Sequence, residues 1–105
     1  METRIKDKYI PMTETAFYLL LVLQEERHGY GAMQYIEGIT NGRLRIGPGT
    51  VYGTLSKMEK DGLIRAVNEY DRRKTYQQTL MGEELLAMEL ERLEEMVSNA
   101  RKVSV

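Results

Sequence analysis

Between Gly47 and Gly62 the chain closes both ends of one short helix, and the rest is arranged around it. Pro48 suits the first helical position, where a missing N–H is no loss and the ring presets φ. Gly62 suits the left-handed stop after the last turn. Inside the bracket Val51, Leu55 and Met58 recur at steps of 4 and 3, so one face is buried. The remaining surface carries Thr50, Tyr52, Gly53, Thr54, Lys57 and Lys60, with Gly49 at its start. Short hydroxyls, one phenol, two ammonium groups and glycines that admit a close backbone suit a groove of duplex DNA. An ordinary amphipathic helix with a solvated face has the same pattern, so the neighbouring segments must decide.

The N-terminal side supplies two more helices. Residues 1–12 are read as a polar arm that frays and ends at Pro11, with Arg4, Lys6 and Lys8 in reach of a phosphate backbone. Thr13 is a suitable N-cap, and Glu14 lies near the positive end of the helix dipole. The helix it opens is expected to run to about Glu26. Phe17, Leu20, Leu21, Val22 and Leu23 make it apolar nearly all round, so it needs its own core and a second surface. Tyr18 and Leu19 are assigned to that second surface. His28-Gly29-Tyr30-Gly31 breaks the chain, and a helix to about Ile39 follows, with Ala32, Met33, Tyr35, Ile36 and Ile39 on its apolar face. Thr40-Asn41-Gly42 is turn chemistry. Arg43-Leu44-Arg45-Ile46 alternates and is expected to form one short strand.

Beyond Gly62, residues 63–70 have β-type composition, Asp71-Arg72-Arg73 reads as a tight turn, and residues 74–79 return. The hairpin tip and flank carry Arg72, Arg73 and Lys74. Three cations repel one another there, and a tip built for structure alone would use Asn-Gly. Phosphate contact accounts for them better than solubility does. Thr79 caps the last helix, and Gly82 allows close approach to the sheet. Leu86, Leu90, Leu93 and Val97 step 4, 3, 4 along that helix, widened by Leu85, Met88 and Met96. About 20 residues of helix are ~30 Å long, more than so small a domain covers. The stripe is therefore expected to bury against a second copy of the chain, the rival being its own core. Residues 98–105 are expected to fray.

Charge supports the DNA reading only when it is localised. The 105 residues carry a net −1. From Arg43 to Tyr76, however, eight Lys/Arg stand against four Asp/Glu, while residues 1–42 and 77–105 are net acidic. Screening limits reach to ~8–10 Å at physiological salt, so the local patch matters more than the total. There is no cysteine, which excludes a disulfide, a thiolate metal site and a Cys nucleophile. The single histidine, His28, has no second ligand beside it, and adjacent carboxylates such as Glu94-Glu95 do not converge on a site. Neither a catalytic nor a metal site is expected, and no cofactor. The longest apolar run, Phe17 to Leu23, is too short to span a bilayer, and residues 1–8 lack the pattern of a signal peptide. The expected compartment is the cytoplasm.

The order is helix, helix, short strand, helix, strand, strand, helix: mainly α with a small β-hairpin. It describes a winged helix-turn-helix over residues 1–79 plus a C-terminal dimerisation helix over 80–105, in one compact unit. In such proteins the second helix of the pair enters the major groove and the first lies across the backbone. Here the Pro48–Asp61 helix reads, the Tyr30–Ile39 helix braces, and the hairpin is the wing. Tyr52 has a second possible environment, partial burial with its hydroxyl bonded inside the domain.

His28-Gly29-Tyr30, Gly49-Thr50-Val51-Tyr52 with Leu55 and Met58-Glu59, Asp61-Gly62-Leu63-Ile64, and Arg73-Lys74 with Tyr76, Thr79 and Gly82 together resemble the PadR family of bacterial and archaeal transcriptional regulators. The resemblance covers about Thr13 to Leu93, and its specificity lies in the ordered set. It implies a homodimer through the C-terminal helix with help from the N-terminal one, and repression at promoters. Many members respond to small aromatic or cationic compounds, some bound near the dimer interface. This chain has the short C-terminal part of the compact subgroup, and it has no tryptophan to wall an indole-lined pocket. The expected partners are double-stranded DNA with an inverted-repeat operator, a second copy of the chain, and a small-molecule effector that would relieve repression. The rival function is a winged-helix protein-interaction module that does not bind DNA.

Overall fold

The computed structural model describes residues 3–103. Helices α1 (Thr3–Tyr9), α2 (Glu14–Val22), α3 (Gly29–Ile39), α4 (Pro48–Lys60) and α5 (Leu80–Lys102) surround a three-stranded antiparallel sheet of β1 (Arg27–His28), β2 (Ile64–Tyr70) and β3 (Arg73–Gln78), in the order β1-β3-β2. One core joins them. Leu19, Leu20 and Leu23 meet Ala32 and Ile36 of α3, Val51, Leu55 and Met58 of α4, Leu63 and Ile64, and Leu85 of α5.

The helix ends follow the sequence signals. Thr13 Oγ1 accepts the Ala16 N–H at 3.1 Å. Thr79 Oγ1 accepts the Gly82 N–H at 3.2 Å and donates to the Gly62 carbonyl at 2.6 Å, tying the start of α5 to the end of α4. Pro48 opens α4. Gly62 closes it at φ +81°. There the Leu63 N–H reaches back to the Met58 carbonyl at 2.9 Å, which satisfies one of the last open carbonyls of the helix. A Cβ at position 82 would collide with the Leu63 carbonyl, so α5 can cross the sheet this closely only at a glycine.

Several expectations are corrected. The expected polar arm is helical from Thr3 to Tyr9, because Ile5 and Tyr9, four residues apart, put two buried side chains on one face. Residues 1–2 lie outside the described residues. The helix expected to reach Glu26 stops at Val22, and the chain turns there to enter β1. Residues 43–46 form no strand. The free edge of β3 is taken by Arg27 and His28, paired with Tyr76 and Thr75. Arg43 and Arg45 turn instead to Glu14 and Glu37, each at 2.9 Å, while Ile46 is buried. Residues 98–102 continue α5 rather than fray, and residues 104–105 lie outside the described residues. Leu19 is fully buried among its own protomer's side chains, so it has no surface to offer a second chain. Leu86 is 7% exposed and belongs to the same core. The apolar stripe of α5 leaves the protomer only from Leu90 onward. Among the described residues no helix is long and apolar enough to cross a membrane.

Candidate nucleic-acid interface

The inner face of α4 is fixed by Val51, Leu55 and Met58, all fully buried, and this decides what faces outward. Gly49, Thr50, Gly53 and Lys57 are exposed, and Thr54 is half-buried. Thr50, Thr54 and Lys57, spaced 4 and 3, form one stripe along the outer surface. Tyr52 stands apart from it. Its ring leans on the backbone of Gly29, where a Cβ would lie only 2.6 Å from Cε1, and the residue remains 46% exposed. Of the alternative considered for Tyr52, the partial burial is seen, but among the described residues its hydroxyl has no hydrogen-bond partner inside the domain.

The wing rises beside this helix. Asp71 and Arg72 take positive φ of 48° and 66°, forming a two-residue turn that places Tyr70 opposite Arg73. A β-bulge interrupts the ladder between Ala66 and Asn68, bending the outer hairpin. Between wing, α3 and α4 lies a cleft of about 450 Å³ lined by His28, Gly29, Tyr30, Tyr52, Glu69, Arg72, Arg73, Lys74 and Tyr76. Four residues expected to touch DNA, Tyr52, Arg72, Arg73 and Lys74, share it. Gly49, Thr50, Gly53, Thr54 and Lys57 do not line it and lie on the adjoining face of α4.

The cations differ in how they are held. Lys74 Nζ is 4.0 Å from Glu59, and its carbonyl is 3.2 Å from His28 Nδ1. Arg72 and Arg73 have no carboxylate within ion-pair distance among the described residues, so neither guanidinium is held by a partner, though Glu69 lines the same cleft. Lys57 Nζ lies 6.0 Å from the centre of the Tyr9 ring, which brings α1 against the end of α4. There the Tyr9 hydroxyl donates to Asp61 at 2.7 Å and Lys8 approaches the same carboxylate at 2.8 Å. Burial works to raise the Asp61 carboxyl, but Lys8 and Tyr9 outweigh it and hold it below the usual range. Burial and the neighbouring carboxylate push the Tyr9 phenol well up, so it stays a donor.

Sequence reasoning left out five residues of this cleft: His28, Gly29, Tyr30, Glu69 and Tyr76. Only the His28-Gly29-Tyr30 grouping marked the first three. Thr75 and Tyr76 are adjacent and both buried, because β1 covers β3 at this point, and two residues cannot announce β1.

A second surface lies on α5. Leu90 and Val97 are about half exposed, with Leu93 half-buried between them. With Glu94, Ser98 and Arg101 these three line a shallow groove. Tyr18 and Leu93 line a neighbouring apolar hollow of about 380 Å³ between α2 and α5. Its floor holds the Glu89 carboxylate, which accepts from Arg92 at 2.6 and 2.9 Å and from the Met12 N–H at 2.8 Å. Among the described residues no three His, Asp or Glu side chains gather to hold a metal ion.

Residues 19–88 match the model of the transcriptional regulator PadR-like family. A 37.1 kDa protein in transposon TN4556 of Streptomyces fradiae is 39% identical over 62 residues, which cover 59% of this chain and 17% of that protein. The chain thus corresponds to a small part of that relative's length. Among solved structures, a transcriptional regulator from Clostridium thermocellum superposes with a TM-score of 0.75 at 20% identity, covering 100% of this chain and 99% of the other. PadR of Bacillus subtilis in complex with operator DNA superposes with a TM-score of 0.63 at 22% identity, covering 74% of this chain and 48% of the other. At these identities the structural likeness is one of fold.

Proposed function

The chain belongs to the PadR-like family of transcriptional regulators, and we propose that it acts as a homodimer that binds double-stranded DNA at an inverted repeat and represses the promoter there. In this reading residues 1–79 are the DNA-binding part and residues 80–105, which carry α5, the dimerisation part. Each protomer sets α4 in a major groove, with Thr50, Tyr52 and Lys57 on backbone or base edges and Gly49, Gly53 and Thr54 allowing close approach. Arg72, Arg73 and Lys74 hold phosphates. Two such units reach successive faces of the duplex about one turn, ~34 Å, apart. Most of these contacts position the protein rather than read sequence.

One observation carries the reading: the outer face of α4 is left open by the protein's own wing, and the unpaired cations of that wing border the same cleft as Tyr52. PadR of Bacillus subtilis, a protein of the same fold, has been captured with operator DNA. Pairing of protomers through Leu90, Leu93 and Val97, with Tyr18 at the margin, covers apolar surface that a single protomer leaves exposed. A small molecule seated between the long helices relieves repression if it binds one dimer geometry better than the other.

The test is an electrophoretic mobility assay on promoter fragments, repeated over a range of salt. Neutralising six to ten phosphates lowers affinity by ~10³–10⁵ between 50 and 200 mM salt. A flat salt response would instead favour a protein-interaction module.

A further inference from the structure

The wing is held at two levels. At its root, β3 is fastened to the turn after α2: Gln78 N–H donates to the Leu23 carbonyl at 2.7 Å and Gln77 Nε2 to the Gln24 carbonyl at 3.1 Å. Beyond the bulge, β1 pairs with Thr75, His28 Nδ1 approaches the Lys74 carbonyl and Glu59 approaches Lys74 Nζ, all on β3; one further side chain from outside the wing reaches both strands at once. The Glu26 carboxylate accepts a short hydrogen bond from Thr75 Oγ1 and another from Asn68 Nδ2 at 2.7 Å. Thr75 and Asn68 are the two residues that face each other immediately after the bulge. Thr75 Oγ1 also accepts the Asn68 N–H at 3.1 Å, replacing the ladder bond that the bulge disrupts. Thr75 is 6% exposed, so its hydroxyl depends on these partners.

We propose that Glu26 is the positioning residue of the wing: by gathering Thr75 and Asn68 at the bulge, it sets the angle at which Arg72, Arg73 and Lys74 meet DNA. Glu26 is exposed and acidic, and it lies outside the reading surface. It does not line the cleft, so a substitution there alters the wing without removing a residue expected to touch DNA. Thr75 first and Asn68 second, by bonding the charged form, hold the Glu26 carboxyl below its usual range. The inference rests on the wing's part in the function proposed above, and the experiment separates the two.

Glu26→Ala and Glu26→Gln are compared with the parent by amide hydrogen exchange of the free protein and by operator affinity across salt. Both variants remove the same charge, but only glutamine keeps an oxygen to accept from Thr75. Charge removal alone tightens DNA binding equally in both. A positioning role predicts the opposite for alanine. Exchange at Asn68 and in the outer wing quickens about tenfold with α3 and α4 unchanged, and affinity falls about tenfold. The salt slope drops by roughly two as the wing's phosphate contacts are lost. Glutamine restores most of each. Thr75→Val, which removes the hydroxyl from the other side, reproduces the alanine result. Unchanged wing exchange in Glu26→Ala, or tighter DNA binding by it, overturns the proposal. Faster wing exchange with unaltered affinity supports the clamp and removes the wing from the DNA-binding reading.

Discussion

The ring of Tyr52 occupies the space that a side chain at Gly29 would fill, its Cε1 only 2.6 Å from where that Cβ would be. The first residue of α3 is therefore a glycine for the sake of an aromatic on α4. Leu55 Cδ1, 3.1 Å from the same point, closes the other side. Gly29→Ala displaces Tyr52 and lowers stability by about 1–3 kcal/mol, the range for forcing a methyl into a packed site. Thermal melts measure the stability loss. Operator affinity falls with it if the ring's place matters, and Tyr52→Phe tests the hydroxyl separately.

Arg72 holds a left-handed backbone at φ +66°, a conformation in which a side chain costs about 1–2 kcal/mol. Arg72→Gly turns the tip into Asp-Gly, the pair that two-residue hairpin turns favour. The variant is expected to melt higher by about 1 kcal/mol of added stability and to bind DNA more weakly. A variant that gains stability and keeps full affinity removes Arg72 from the interface.

Leu90 and Leu19 separate two kinds of apolar residue. Leu90 is 48% exposed and Leu19 is fully buried. On the proposed pairing through α5, Leu90→Glu is expected to leave the protomer folded, to sediment as a monomer, and to bind operator DNA more weakly because only one α4 then engages it. Leu19→Ala instead destabilises the protomer by about 2–5 kcal/mol. A Leu90→Glu protein that still sediments as a dimer would move the interface elsewhere.

Glu89 makes stability depend on acid. Arg92, the largest influence, holds its carboxyl below the usual range against the opposing effect of burial, and the Met12 N–H helps. Its folded value lies below its unfolded one. Its contribution is complete above the unfolded carboxylate value of ~4.3 and is lost as pH falls through the folded one. Glu89→Gln is expected to be less stable at pH 7 by about 1–3 kcal/mol, the scale of a hydrogen bond to a charged group. Its stability is also expected to change less between pH 5 and 3 than the parent's, as denaturant titrations at each pH would measure.

What the sequence made legible is what local chemistry decides. Pro48 and Gly62 bracket α4 through their own backbone preferences, Thr13 and Thr79 bond amides three residues on, and Gly82 marked a crossing of helix over sheet. What it hid depends on partners distant in the chain. Arg43–Ile46 alternates as a strand should, yet β1 already pairs with the edge of β3. The two residues of β1 carry no periodicity, and α1 announces itself only through Ile5 and Tyr9. On α2, apolar side chains on nearly every side leave no pattern to tell the buried Leu19 from Tyr18. The wing's cations were legible as a cluster, but not their neighbour Glu26, whose link to Thr75 spans 49 residues.

Beyond Gly82, α5 runs to Lys102 without another glycine or any proline. Its 23 residues make a rod of roughly 35 Å with no built-in joint, seated against Leu63 at the foot of the wing. Leu85, Leu86 and Glu89 seat its first turns in the core, so the free part is residues 90–102, roughly 20 Å of unbroken helix. The stretch beyond Glu89 is therefore straight and stiff enough to hold its half-exposed leucine and valine at a fixed distance from the core.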